Sequence, residues 1–313
     1  MRSTMGVMDL ALIARDGVFA AAKARAFGID SSSLRRAVAA GQAFPLCRGW
    51  YSTRAPTTPR DHHLLRTTAL LQEYGGHVVA SHGSAVIRLG LPDVALDLGT
   101  VQLMWRGDKP DFRSYSRVHV HEEVANPRLT AWVTTVHPAL AVVQVGLRDV
   151  RSMLVAGDAA LRLRMVDAGQ LTAAVDALRG QRGLTRARAA AGWFDARHQS
   201  PGETLTAFVL RGLGYSFTPQ FEPGTQGKNG GPEQTDFVID GTRVLVEFDG
   251  RSKYSAASED DAQRLLFAEK RREDRIRDLG YEMVRVTWAE VHQPERVRAK
   301  VEKALTRWRS RAV

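Results

Sequence analysis

The stretch Thr235-Asp236-Phe237-Val238-Ile239, then Asp240-Gly241, then Arg243-Val244-Leu245-Val246-Glu247-Phe248-Asp249-Gly250, constrains the fold more than any other part of the chain. Asp-Gly between two β-prone runs is a strong short-range hairpin signal. A two-residue turn pairs Ile239 with Thr242 and sets Asp236 opposite Leu245. Directly opposed residues share a face, and faces alternate along each strand. Asp236, Leu245, Glu247 and Asp249 therefore share one face, while Phe237, Ile239, Val244, Val246 and Phe248 share the other. The second face is apolar and predicts a core. The first collects three carboxylates near one end of the hairpin, where their repulsion is costly unless a cation joins them. Hard oxygen donors at that spacing suit Mg²⁺ or Mn²⁺. Scattered surface carboxylates are the plain alternative. Against it, Glu247 and Asp249 end the most apolar strand of the region and are followed by Gly250.

The segment beyond the hairpin reads as a helix. Leu265, Glu269, Arg272, Ile276 and Leu279 follow helical spacing, so Glu269 and Arg272 interrupt an apolar stripe. Polar groups on a core-facing stripe need partners. A site at the sheet edge supplies them; so does a buried Glu-Arg pair that closes the helix onto the sheet.

Asp236-Phe237, Val246-Glu247-Phe248-Asp249-Gly250, the helix with Glu269 and Arg272, and Leu279-Gly280-Tyr281-Glu282-Met283-Val284-Arg285-Val286 together resemble the Vsr-like branch of the PD-(D/E)XK nuclease superfamily. Glu203, in Ser200-Pro201-Gly202-Glu203-Thr204-Leu205, resembles the acidic residue of that fold's first helix. The resemblance covers about residues 198 to 292. It implies a restriction-endonuclease-like mixed sheet with flanking helices and Mg²⁺-dependent hydrolysis of DNA phosphodiesters. Asp236 and Glu247 would ligate the ion, with Asp249 or Glu203 completing its shell directly or through water. The superfamily's usual lysine, two residues after the acidic member of the second strand, is replaced here by Asp249. Lys253 is the nearest substitute and Lys270, on the following helix, the second. Without a basic group there, the fold would be present without catalysis.

Composition points the same way without deciding. The chain has 313 residues, 44 Lys+Arg against 34 Asp+Glu, and a net charge of +10. That balance favours a polyanionic partner, nucleic acid before membrane. One cysteine, Cys47, excludes an intramolecular disulfide and a cysteine-built zinc site. No run approaches a membrane span and the N-terminus lacks the regions of a signal peptide, so a cytoplasmic protein is expected.

The N-terminal segment predicts its own domain over residues 1–55. Residues 8–15 suit a short helix broken at Asp16-Gly17, Val18 to Phe27 a second, and a third capped by Asp30 or Ser31 runs to Ala40. Phe44 to Tyr51 then reads as two strands around a turn. Three helices and a hairpin describe a winged helix-turn-helix, whose third helix would present Ser32, Ser33, Arg35 and Arg36 to the major groove. Arg48 and Trp50 would lie on the wing. This segment resembles the N-terminal domain of the AbiEi antitoxin family, which ends in a similar Arg-Gly-aromatic-Tyr wing.

After a Pro/Thr linker at Pro56 to Pro59, residues 60–195 predict a middle α/β domain with no assigned chemistry, similar to the C-terminal part of AbiEi-like antitoxins. Strands are expected near Thr100 to Trp105, Val118 to His121 and Trp132 to Thr135. Helices are expected around His137 to Val145, Val150 to Arg164 and Leu171 to Ala177. Its histidines, His62, His63, His82, His119 and His121, are read as structural. Residues 198–313 form the nuclease-like domain, with a glycine-rich loop around Lys228 and Asn229 and a C-terminal helix from Glu295 to Arg311. The whole predicts an α/β multi-domain protein: a DNA-docking winged helix joined to a metal-dependent endonuclease of defence, repair or mobile-element biology. The rival reading is a non-catalytic DNA-binding regulator, an antitoxin of a type IV-like toxin-antitoxin system with a toxin as its protein partner.

Overall fold

The computed structural model describes residues 7–107, 113–115, 117–124, 126, 129, 132–225, 232–250 and 259–311. The chain is an α/β protein with more than one domain. It divides into two compact units, Met1–Ala156 with Met165–Ala191, and Gly157–Arg164 with Gly192–Val313. The expected segments 1–55 and 60–195 both contribute to the first unit, and the second resumes at Gly192, close to the boundary expected at 198. Among the described residues, no helix is long and apolar enough to cross a membrane.

The first unit begins with α1 (Val7–Ile13), β1 (Val18–Ala20), α2 (Ala21–Ala26), α3 (Ser31–Ala39), β2 (Phe44–Cys47) and β3 (Trp50–Ser52). Val18 to Ala20 is a strand, where a helix was expected from Val18 to Phe27. These residues pair antiparallel with Ser52, Tyr51 and Trp50, and the sheet order is β1-β3-β2. β-branched Val18 and aromatic Phe19 suit a pleated, buried position, and both are buried. Asp16 and Gly17 turn the chain with positive φ before the strand. Leu10, Ile13, Phe19, Ala24, Ile29, Leu34, Ala37 and Ala43 form one core, and Val18, Leu46 and Trp50 pack with Leu65 and Ala69 in another.

The same unit continues through α4 (Pro59–Glu73), β4 (Val78–Ala80), α5 (His82–Arg88), β5 (Val101–Trp105), β6 (Arg113–Tyr115) and β7 (Val118–His121). The mixed sheet has the order β4-β5-β7-β6, with β5 and β7 parallel. Helices α6 (Pro138–Gly146), α7 (Val150–Arg162) and α8 (Ala168–Ala177) follow within a residue or a few of the expected spans, and α9 (Leu184–Ala191) comes after them; from Gly157 on, α7 belongs to the second unit. The expected strand at Trp132 to Thr135 is reduced to isolated bridges, Trp132 with Thr135 and Ala80 with Thr135.

In the second unit α10 (Pro201–Gly212) precedes β8 (Phe217–Phe221), β9 (Thr235–Ile239) and β10 (Val244–Asp249). Then come α11 (Glu259–Asp278), β11 (Glu282–Thr287), α12 (Trp288–Val291) and α13 (Pro294–Arg311). The sheet order is β11-β10-β9-β8; β10 and β11 are parallel and the other neighbours antiparallel. The Asp240-Gly241 hairpin forms, but in a longer register than the two-residue turn predicts. Leu245 faces Val238 and Val246 faces Phe237, so Ile239 does not pair with Thr242. The connection instead uses a turn in which the Thr242 amide donates to the Ile239 carbonyl. The shift is two residues, so every side chain keeps its expected face.

Both faces of this sheet are covered. Val238 and Leu245 are buried with Ile276 of α11. On the opposite side Gly202 of α10 lies so close to Phe248 that a Cβ there would overlap the ring. Ahead of α10, the buried Asp158 carboxylate ties this unit together, accepting from His198 at 2.7 Å, the Thr204 hydroxyl at 2.8 Å and the Asp195 amide at 2.8 Å.

Candidate active-site cleft

The register that shifts the hairpin also assembles its polar end. One step beyond the Val246–Phe237 pair, Asp236 stands beside Glu247, and on the other flank of β10 Glu247 pairs with Arg285 and Asp249 with Thr287. The apolar half of the sheet face, with Leu245 and Val238, thus gives way to a row of charged groups where β10 ends. Asp236, Glu247 and Asp249 line a cleft of about 300 Å³ with Gln234, Phe248, Gly250, Glu269, Arg272 and Arg285. The expected hairpin residues and the expected helix pair therefore meet in one place.

Asp236 is held by the Phe248 backbone N–H, which donates to its Oδ2 at 2.6 Å. Glu247 is gripped by Arg272 through both oxygens, Nη2 to Oε1 at 2.5 Å and Nη1 to Oε2 at 3.2 Å. Arg272 also donates to the Gln234 carbonyl at 2.8 Å and to Glu269 at 3.3 Å. Burial opposes the charge on Arg272, but the Glu247 hydrogen bonds and charge, then Glu269 and Glu233, outweigh it and raise its pKa. Arg285 donates to Glu269 at 2.6 Å and to Glu273 at 3.2 Å. The two readings of the Glu269–Arg272 pair are thus both realised: it closes the helix onto the sheet, and it lines the cleft.

Asp249 differs from its neighbours. Among the described residues no hydrogen bond or ion pair engages its carboxylate. Among the described residues that line the cleft, four carboxylates, Asp236, Glu247, Asp249 and Glu269, stand with two guanidinium groups, a surplus of oxygen donors and of negative charge. Oxygen donors with that surplus fit a hard divalent cation, provided that Glu247 gives up Arg272. Among the described residues no group of three His, Cys, Asp or Glu is already gathered to hold a metal ion.

The remaining expected residues are placed elsewhere. Glu203 is buried at the start of α10, where Ser200 caps the helix. Its carboxylate accepts from the Gln199 amide, the Ser200 hydroxyl and the Gln220 side chain at 2.8, 2.8 and 2.9 Å, and it is not among the cleft's lining residues. Lys270 is exposed on α11 and does not line the cleft either. Lys253, Lys228 and Asn229 lie outside the described residues. Arg285 and Gln234 were not singled out from the sequence. Arg285 carried a signal, since Glu282-Met283-Val284-Arg285-Val286-Thr287 alternates and its register beside β10 follows from parallel pairing.

In the first unit, Asp30 caps α3 through the Ser33 amide at 2.7 Å and accepts from the Ser32 hydroxyl at 2.8 Å. Those contacts hold its pKa down at about 2. Arg35 and Arg36 are exposed on α3, and Arg36 donates to the Ser33 hydroxyl at 2.9 Å. Arg48 is exposed at the β2–β3 turn, beside Gly49 with φ +77°. Trp50, expected on the exposed wing, is turned inward instead, and its indole N–H donates to Glu73 at 2.7 Å. His119 and His121 share a face of β7, and His82 joins them, its ring stacked on His121 with centroids 4.0 Å apart. That third histidine comes from α5, a contact between distant segments that spacing along the chain does not reveal.

No family model matches the chain, and no curated protein matches it. Among solved structures it is similar to the crystal structure of RV2827C protein from Mycobacterium tuberculosis, with a TM-score of 0.41 and 17% identity, over 64% of this chain and 78% of that one. Nothing is transferred to this chain at that level of likeness.

Proposed function

We propose that this protein is a DNA-binding, metal-dependent endonuclease. The observation that carries the reading is the single cleft that holds Asp236, Glu247 and Asp249 where β10 ends, with Glu269, Arg272 and Arg285 around them. Asp236 and Glu247 are the first candidates to hold Mg²⁺ or Mn²⁺, and Asp249 completes the set. Such an ion supplies water activation and charge compensation at a scissile phosphate. The chain's own part is positioning. The Phe248 N–H orients Asp236, α11 brings the Arg272 guanidinium and β11 that of Arg285 to the cleft, and these are suited to a phosphate's developing charge. Docking on DNA falls to the first unit. Three helices and a three-stranded antiparallel sheet, ordered α1-β1-α2-α3-β2-β3, support a winged helix. Its α3 presents Arg35 and Arg36, and its β2–β3 turn presents Arg48. These arginines and the net charge of +10 favour a phosphate backbone as partner.

A second reading, a non-catalytic DNA-binding regulator or antitoxin that contacts a toxin, is favoured by one observation: Glu247 is committed to Arg272 in the structure. Nicking and cleavage of supercoiled and branched DNA with Mg²⁺ or Mn²⁺ separates the two. Metal-dependent cleavage lost in Asp236→Ala and in Glu247→Ala supports the nuclease. DNA binding at matched salt without cleavage by any of these proteins supports the regulator.

A further inference from the structure

We propose that Arg272 is an exchangeable counterion, which holds Glu247 while the cleft is metal-free and passes to a DNA phosphate when a divalent cation takes the Glu247 carboxylate. This rests on the nuclease reading and names how the same site is controlled.

Arg272 occupies both oxygens of Glu247. A divalent cation needs at least one of them at short range, and its charge repels the guanidinium held there, so the cation and the full two-pronged pair compete for the same carboxylate. The arginine has somewhere to go. Its contacts to the Gln234 carbonyl and to Glu269 keep the guanidinium at the cleft when the Glu247 contacts break. Arg285 does not compete for that task, being shared between Glu269 and Glu273.

Among the described residues that line the cleft, carboxylates outnumber guanidinium groups. A divalent cation offsets that excess, and the phosphate that arrives with DNA is matched by the released guanidinium. Only ion pairs are exchanged, and no covalent bond forms or breaks. The position two residues after Glu247 holds Asp249, so the basic group near the reacting phosphate has to come from another element. Arg272 is a cation that already lines the cleft, whereas Lys270 on the same helix does not.

The consequence is coupling. Metal alone must displace Arg272 with no new partner for it; metal with DNA gives Arg272 a phosphate, so each ligand tightens the other. The test is Mn²⁺ binding to the full-length protein, read from the spin-resonance signal of free Mn²⁺, with and without a short duplex. A titration of the duplex alone is subtracted. Wild type, Arg272→Gln and Arg272→Lys are compared after melting curves show all three folded.

Wild type is expected to gain about tenfold in Mn²⁺ affinity when DNA is added. Arg272→Gln should bind Mn²⁺ about tenfold more tightly than wild type without DNA and gain little from the duplex. Arg272→Lys, which keeps the charge but not the fork, should fall between. An Arg272→Gln protein that binds Mn²⁺ no better than wild type, or keeps the whole DNA-induced gain, overturns the exchange. The nuclease reading survives that result if wild type still cleaves DNA. No Mn²⁺ binding by wild type or Arg272→Gln, with or without DNA, overturns both. If Arg272→Gln does not fold, Arg272→Lys decides, and wild-type affinity or wild-type coupling in that variant overturns the exchange.

Discussion

Arg272 closes a two-pronged ion pair on Glu247, with Nη2 2.5 Å from Oε1 and Nη1 3.2 Å from Oε2. The two side chains are 19% and 14% exposed, so neither charge is left to bulk water. A pair in that position is weakly stabilising as a whole, yet removing one partner strands the other.

Glu247→Ala should therefore destabilise the second unit by about 3 kcal/mol. Arg272→Met should cost at least as much, because Glu247 is the less exposed partner, whereas Arg272 without Glu247 keeps the Gln234 carbonyl and Glu269. The double variant should be more stable than the sum of the single losses predicts. Urea unfolding of the four proteins measures the coupling. Strict additivity would show that the two groups do not depend on each other.

The face shared by Asp236, Glu247 and Asp249 was legible because side chains alternate along a strand and the register error was even. The length of the turn was not legible, since Asp-Gly suits a two-residue loop equally well. The helical stripe exposed Glu269 and Arg272 as misfits, but which carboxylate Arg272 would hold depends on how α11 lies across the sheet. Val18 to Ala20 misled because its pairing partner, Trp50 to Ser52, lies thirty residues downstream, and local propensity says nothing of that. Glu203 carried the right residue type at a helix start, yet its oxygens are committed to Gln199, Ser200 and Gln220.

Gly202 offers a test at a distance from the carboxylates. A methyl group there overlaps the Phe248 ring, which also packs edge-on against Trp288 with centroids 5.0 Å apart. Phe248 sits between Glu247 and Asp249, and its N–H orients Asp236. Gly202→Ala should cost about 1–3 kcal/mol as an overpacked contact and weaken Mn²⁺ binding. Adding Phe248→Leu should recover part of the stability. Thermal melts and Mn²⁺ titration check this, and a Gly202→Ala protein equal to wild type in both would refute the proposed link.

The stacked histidines of the first unit set a pH dependence. Burial, then the charges of His121, His119 and Arg148, hold His82 well below its ordinary range. Burial, then His119, lowers His121 from the ordinary 6.5 to about 4. The unfolded chain therefore takes up protons below pH 6.5 that the folded chain refuses until about pH 4. The stability is complete above that window and lost as pH falls through it. His121→Phe, which keeps a ring against His82, should reduce the wild-type loss between neutral and acid pH by on the order of 2 kcal/mol. Denaturant unfolding followed by tryptophan fluorescence at the two pH values measures it. Equal slopes in both proteins would place the acid sensitivity elsewhere.

The basic face of α3 is tested by salt rather than by affinity alone. Arg35 and Arg36 are exposed, and the helix start beneath them is fixed by the Asp30 cap through the Ser33 amide, so alanine at either position removes charge while the cap is kept. Each phosphate contact releases condensed counterions from DNA, which makes the logarithm of the binding constant fall linearly with the logarithm of salt concentration. Arg35→Ala and Arg36→Ala should each weaken binding across unrelated sequences and reduce that slope by about 1. Asp236→Ala should leave this part of the slope unchanged. Fluorescence anisotropy over a salt series provides the measurement. If both arginine variants keep the wild-type slope, α3 does not touch the phosphate backbone, and the three-helix unit is there to contact protein.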